Sequence, residues 1–195
     1  MKFLLQIAAV LIIVAGLFFL LGYLVSEQRN INEVQVKAPI ELCWDICQDE
    51  SRLSEWMEGV SGIQLVAGAA GQVGSKQKVI MSSVENSTSE LQRTITKVSK
   101  PTVFSYDYTN DMMTGRSEIT FLARDSITTI KSTDIFSGKK LWLRSTLYLM
   151  KSSINRKTQA QYEKLKDIIE NDYKVQLRNE ANATNENLEM GIEID

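Results

Sequence analysis

The most constraining feature of this chain is an apolar run near its start, Phe3–Val25, which only Gln6, Gly16 and Gly22 interrupt. A helix of this length rises roughly 34 Å, enough to cross a hydrocarbon core of about 30 Å. A cleaved signal peptide has a shorter apolar core that ends in a small-x-small motif, and this run has neither property. The sequence therefore predicts a single membrane-spanning helix in residues 3–25.

The charges beside this helix predict its orientation. Lys2 and the α-amino group precede it, while Glu27 and Arg29 follow it. The positive-inside rule places the amino terminus in the cytoplasm and the rest of the chain outside it. We therefore expect an extracytoplasmic domain, which would be periplasmic in a Gram-negative source.

Composition excludes several functional classes. The 195 residues carry a formal net charge of -2 and include no histidine and two cysteines. Without histidine there is no Ser-His or Cys-His nucleophile pair and no histidine metal ligand. The net charge is far from that of a nucleic-acid-binding protein, so no nucleic acid is expected as a partner. Cys43 and Cys47 lie one helical turn apart, where we expect core thiols rather than a disulfide or metal site.

Apolar periodicity predicts the elements after the anchor. It indicates a strand at Asn32–Lys37, two short helices from Pro39 to Met57, and a long helix from Lys139 to about Asp172. Between the helices, alternation and turn signals such as Asn86-Ser87 and Asn110-Asp111 predict six more strands. These are Ile63–Ala67, Ser75–Ser82, Glu90–Val98, Thr102–Tyr108, Gly115–Ala123 and Ser126–Phe136.

These patterns divide the chain into four parts. Residues 1–25 are the predicted anchor, 26–30 a linker, and 31–172 a single domain. Residues 173–195 are acidic and poor in large apolar side chains, so we expect a mostly disordered tail.

The predicted domain resembles the START-like, or SRPBCC, helix-grip superfamily, in particular its polyketide cyclase/dehydrase-like branch. The element order carries the resemblance together with an opening motif, a glycine pair, a hairpin motif and the last helix. The matching residues are Ala38, Pro39, Cys43, Trp44, Asp49 and Trp56, then Gly71 and Gly74, Arg93 and Pro101, and Tyr162–Lys166. The resemblance implies an α+β fold in which a curved antiparallel sheet of about seven strands, in the order β-α-α-β6-α, wraps a long carboxyl-terminal helix.

The resemblance also implies an apolar cavity between the sheet and that helix. Members bind lipids, sterols or other hydrophobic molecules, and a minority are enzymes. The residues predicted to line the cavity come from two strands and from the last helix. They are Phe104, Tyr106, Tyr108, Ile119 and Phe121, with Trp142, Leu147, Met150 and Ile154. The alternative is that these side chains pack as a solid core.

Charged residues in the strands suggest no catalytic set. Most are expected on the solvated outer face of the sheet. They are Arg93, Asp107, Arg116, Glu118 and Asp134. Six basic residues without an acidic one in Lys139–Lys157 fit either a solvated helix face or a surface toward anionic lipid headgroups, and the solvated face is the simpler interpretation.

The sequence thus predicts a membrane-anchored binding domain, a carrier or sensor, for a hydrophobic small molecule or lipid. We expect no catalytic residue, metal or cofactor, and the sequence identifies no protein partner. A polyketide cyclase/aromatase-like enzyme, or a protein-interaction module with a vestigial cavity, is the alternative.

Overall fold

The computed structural model describes residues 2–82 and 88–190, and its elements follow the predicted order. The predicted turn at Asn86-Ser87 lies outside the described residues. The elements are α1 (Lys2–Leu24), β1 (Gln28–Val36), α2 (Ile40–Gln48), α3 (Leu53–Trp56), β2 (Val60–Ala67), β3 (Lys76–Ser82), β4 (Thr88–Ser99), β5 (Val103–Thr109), β6 (Met113–Arg124), β7 (Ile127–Gly138) and α4 (Leu141–Met190).

The strands form a seven-stranded antiparallel sheet in the order β1-β7-β6-β5-β4-β3-β2. From β2 to β7 each strand pairs with its neighbour in sequence, because the short connections between them favour antiparallel hairpins. β1 pairs with β7 along its whole length, from Gln28 opposite Phe136 to Val36 opposite Thr128. The sheet curves around α4, so the predicted α+β helix-grip fold is confirmed.

Strict alternation on β1 explains how the sheet meets α4. Every second side chain of Gln28–Val36 is buried. Val34 and Val36 belong to the main core together with Leu165 and Ile169 of α4. Glu170 accepts a hydrogen bond from the Lys37 backbone N–H at 2.9 Å, which holds this part of α4 along the edge strand.

The two short helices close one end of the sheet. Pro39 precedes α2, where the missing N–H costs no helical hydrogen bond. α2 buries Cys43, Trp44 and Cys47, so both thiols lie in the core as predicted. The Trp56 ring of α3 lies 5.8 Å from the ring of Tyr162 on α4.

α4 is longer than the sequence predicts. The expected helix end near Asp172 is wrong, because α4 continues to Met190. Burial of side chains does stop near Asp172, because the side chains from Lys174 to Asn185 are all exposed. No glycine or proline interrupts Leu141–Met190, and the segment is rich in good helix formers, so the helix continues without a core to pack on. Residues 191–195 lie outside the described part.

α1 is the one helix in the described residues that is long and apolar enough to cross a membrane. Its last two turns contact the start of α4 through a stripe of Phe18, Leu21 and Gly22, with Val25 just beyond. β1 already begins at Gln28, so only Val25–Glu27 connects the helix to the sheet, where the sequence predicts a linker at 26–30.

Candidate functional site

Three of the predicted cavity residues lie in the core. Phe104 of β5 and Ile119 and Phe121 of β6 are buried. The Trp44 ring of α2 packs edge-on against Phe104, with ring centroids 6.3 Å apart, and lies 5.4 Å from Phe121. In this part of the concave face the side chains fill the space between the sheet and the helices.

Tyr106 and Tyr108 continue the same face of β5 and are half-buried. Their rings follow Phe104 at centroid distances of 5.8 Å and 6.2 Å. Burial and the nearby Asp134 carboxylate raise the pKa of both phenols. Both side chains therefore stay neutral near physiological pH, where they can donate hydrogen bonds but cannot act as a base.

The predicted residues of α4 divide between two faces. Leu147 and Ile154 are half-buried, while Trp142 and Met150 are exposed. Helical geometry puts Trp142 on the side of Ser145, which packs against α1 and not against the sheet. The structure therefore does not bring Trp142 together with the aromatic residues of β5 and β6, and Met150, one turn from Leu147 and Ile154, is 50% exposed.

The open space next to the core is a cleft of about 440 Å³ between α2, the β2–β3 loop and the strands β4 and β5. Its apolar wall consists of Trp44, Ile95, Val98 and Phe104. Its rim is polar, with Gln48, Asp49, Glu50, Arg93 and Lys100, and Ala70 and Gly71 supply the loop side. A recess of about 550 Å³ at the β5–β6 hairpin is larger but has no core residue in its wall. The cleft is therefore the candidate site, since ligand sites combine apolar walls with a few polar groups.

Arg93 forms one end of the cleft and is only 9% exposed. Its Nε donates to Gln77 Oε1 at 2.8 Å, and one Nη lies 3.5 Å from Glu50 Oε1. Gln77 in turn donates to Glu50. The guanidinium stacks on two rings, 5.2 Å from the Tyr106 centroid and 5.9 Å from that of Phe104. A fixed positive charge thus lies where the cleft meets the aromatic core.

A second polar region lies on the inner face of β1, β6 and β7. Ser132 donates to Asp134 at 2.6 Å, and Asn30 and Asn32 of β1 are buried beside them in the sheet register. Within the described part of the chain, both polar side-chain atoms of Asn32 lack a hydrogen-bond partner. The concave face is therefore not uniformly apolar.

The sequence interpretation missed this polar content. It expects most of the strand charges on the outer face, and Asp107, Arg116 and Glu118 are exposed as expected, whereas Arg93 and Asp134 lie on the inner face. Alternation was the signal that could have found both, because Arg93 shares a face with Ile95, and Asp134 shares one with Ile130. Gln77 follows the same rule, because it shares a face of β3 with Val79.

The two buried thiols near the site are not activated groups. Burial raises the pKa of Cys43 to about 11 and that of Cys47 to about 12, so neither thiol is a nucleophile near neutral pH. In the described residues no group of three Asp, Glu or Cys side chains is placed to hold a metal ion.

Comparison with known proteins bears on both fold and family. The family model described as "Polyketide cyclase / dehydrase and lipid transport" matches residues 31–170. No curated protein matches the chain in sequence.

Solved structures share the fold at low sequence identity. The aromatase/cyclase Zhui from Streptomyces sp. R1128 is 12% identical with a TM-score of 0.61, over 74% of this chain and 94% of that chain. Ara h 8.0201 is 14% identical with a TM-score of 0.57, over 73% of this chain and 97% of that one. A conserved protein from Geobacillus kaustophilus is 13% identical with a TM-score of 0.60, over 73% and 95% of the two chains.

Proposed function

This chain belongs to the polyketide cyclase / dehydrase and lipid transport family, and from that premise we propose that it is a membrane-anchored domain that binds a hydrophobic small molecule or lipid. The family suggests hydrophobic ligand binding. The finer choice, a carrier or sensor and not an enzyme, is our proposal. The observation that carries it is the cleft of about 440 Å³ that ends on the aromatic core.

The cleft suits a ligand with an apolar body and one polar group. Trp44, Ile95 and Phe104 would take the body out of water, at about 25 cal/mol for each Å² of apolar surface buried. Arg93 and the polar rim would orient a carbonyl, hydroxyl or anionic group. The raised pKa values of Cys43 and Cys47 disfavour a thiol nucleophile beside the cleft, which supports binding over thiol catalysis.

Membrane anchoring is the second part of the proposal. The apolar residues of α1 are exposed along most of the helix, as a membrane span requires. The positive-inside rule supports an extracytoplasmic position of the domain. Protease added to intact spheroplasts should remove the domain, and cleavage only after lysis would place it in the cytoplasm.

Native mass spectrometry of the full chain in detergent tests ligand binding. After incubation with a lipid extract of the host, we expect one apolar molecule per chain. Ala70→Trp places a ring at the rim of the cleft and should reduce this occupancy at least several-fold. Ala69→Trp, a change at the neighbouring exposed residue that does not line the cleft, should preserve it. A wild-type chain that takes up nothing would overturn the proposal.

A further inference from the structure

The first turns of α4 are apolar on two sides. Leu143 and Leu147 are half-buried on the side of the sheet. A second stripe lies on another face, since its members follow at spacings of one, three and four residues. This outer stripe consists of Leu141, Trp142, Ser145, Tyr148 and Leu149. One apolar face meets the core, so the other needs a separate explanation.

Contact with α1 fixes where the outer stripe lies. Ser145 is fully buried and its Oγ donates to the Phe18 carbonyl of α1. Gly22 lies directly against Ser145 and the Leu141 carbonyl, where any Cβ would overlap them. Phe18 and Gly22 belong to the predicted membrane span. The stripe therefore lies level with the last two turns of that span.

The rest of the outer stripe is only partly covered by the described residues. Trp142 is 42% exposed and Leu149 65% exposed, and Leu141 and Tyr148 are exposed as well. Tryptophan and tyrosine at the end of a membrane span are typical of the lipid–water interface. An exposed apolar patch of this kind, continuous with a membrane helix, marks a contact surface and not a solvated face.

Basic residues frame the same end of the domain. Lys139 and Lys140 immediately precede α4 and are exposed, and Lys151 follows the stripe. The sequence from Lys139 to Lys157 contains no acidic residue. Each such charge near an anionic membrane surface contributes about 1 kcal/mol to binding.

We propose that the outer stripe of α4 inserts into the interface of the bilayer that α1 spans, with Lys139 and Lys140 on anionic headgroups. This inference rests on the membrane anchoring under the proposed function but adds a second membrane contact. It makes the start of α4 a lipid-bound element. The cleft and its ligand play no part in it.

Trp142 is an intrinsic reporter of this contact. The other two tryptophans, Trp44 and Trp56, are buried in the domain core. The test is to reconstitute the full chain in phosphatidylglycerol vesicles with and without brominated acyl chains, which quench only neighbouring indoles. Bromolipid should quench a large part of the emission, about a third or more. The quenched part should disappear in Trp142→Phe.

Flotation of the same vesicles separates the two possible failures. If the chain does not float with the vesicles, anchoring by α1 has failed. If the chain floats but bromolipid quenches wild type and Trp142→Phe equally, α1 is anchored and the inference is overturned.

Charge variants test the headgroup contact. The pair Lys139→Glu and Lys140→Glu should reduce quenching of Trp142 at least twofold in phosphatidylglycerol and little in phosphatidylcholine. The pair Lys164→Glu and Lys174→Glu, two exposed lysines elsewhere on α4, is the matched control and should leave quenching unchanged. Equal quenching in both lipids for all variants would contradict the role of anionic headgroups.

Discussion

At the scale of single residues, the concave face depends on a few polar groups placed among apolar ones. Arg93 is held by Gln77, Glu50 and two aromatic rings, so its charge is fixed in position before any ligand arrives. Such preorganisation lowers the ordering cost of binding. The same contacts make Arg93 a stability determinant, because its partners would lose their hydrogen bonds without it.

Arg93→Met should lower the free energy of unfolding by about 2 kcal/mol, since the buried Gln77 then keeps an unsatisfied carbonyl. Arg116→Met makes the same change at an exposed position of β6 and should cost within about 0.5 kcal/mol. Urea unfolding of both variants in detergent measures the difference. Equal losses in the two variants would mean that the Arg93 contacts add nothing to stability.

The two core thiols predict a dependence of stability on alkaline pH. Burial raises the pKa of Cys43 to about 11 and that of Cys47 to about 12, so the folded chain keeps two protons that the unfolded chain releases above about pH 9. The contribution of these two thiols to the free energy of unfolding is therefore fully present below about pH 9 and is lost as the pH rises further. When the pH rises from about 8 to about 10, the free energy of unfolding should fall in wild type by about 1 kcal/mol per thiol. In a variant with Cys43→Ala and Cys47→Ala this part of the fall should be absent.

Thiol reactivity gives an independent check on the same residues. In the folded chain at about pH 8, Ellman's reagent should label neither cysteine, and in guanidinium it should label both. Rapid labelling of the native chain would show that the thiols are accessible and would remove the basis of the pH prediction.

At the scale of elements, the contact between α1 and α4 depends on glycine. An added methyl group at Gly22 would meet the Leu141 carbonyl and Ser145, whereas one at Gly16 meets nothing within 4 Å. Gly22 is therefore needed for helix packing, whereas Gly16 is only one small residue of an apolar helix. This contact joins the apolar helix α1 to the folded domain by close packing and not only through the chain.

Gly22→Ala should therefore separate the end of α1 from the start of α4, while Gly16→Ala should not. Leu24 and Ser152 are both exposed and can be replaced by cysteines that carry spin labels. Pulsed electron paramagnetic resonance then measures the distance between the two helices. We expect a narrow distribution in the parent and Gly16→Ala chains and a broader or longer one in Gly22→Ala. An unchanged distribution would show that the helices do not depend on close approach at this glycine.

At the scale of the whole molecule, apolar periodicity predicted the order of the elements, the family resemblance implied their arrangement, and neither was sufficient for the site. Alternation predicted strands such as β1, of which every second side chain is buried. The end of α4 was missed because helix formation after Asp172 does not require burial. Trp142 was assigned to the cavity because sequence reasoning allows a helix one apolar face, and α4 has two.

For Arg93 and Asp134, the position in the strand predicts the side-chain direction better than the charge does. Both are inward by the alternation of their own strands. The buried Arg93 donates to Gln77 on another strand, β3, whereas Asp134 accepts from Ser132 on its own strand, β7. Pairings between distant residues are not visible in one sequence, so the polar half of the site needed the structure.

The connection Val25–Glu27 limits how far the domain can travel. Three residues extend at most about 10 Å, far less than the tether of a carrier that swings between two membranes. With α1 in a bilayer, the domain meets only the lipids and proteins around its own anchor, at a high effective concentration. Any molecule exchanged over a longer distance has to be delivered or collected by a second, diffusing component.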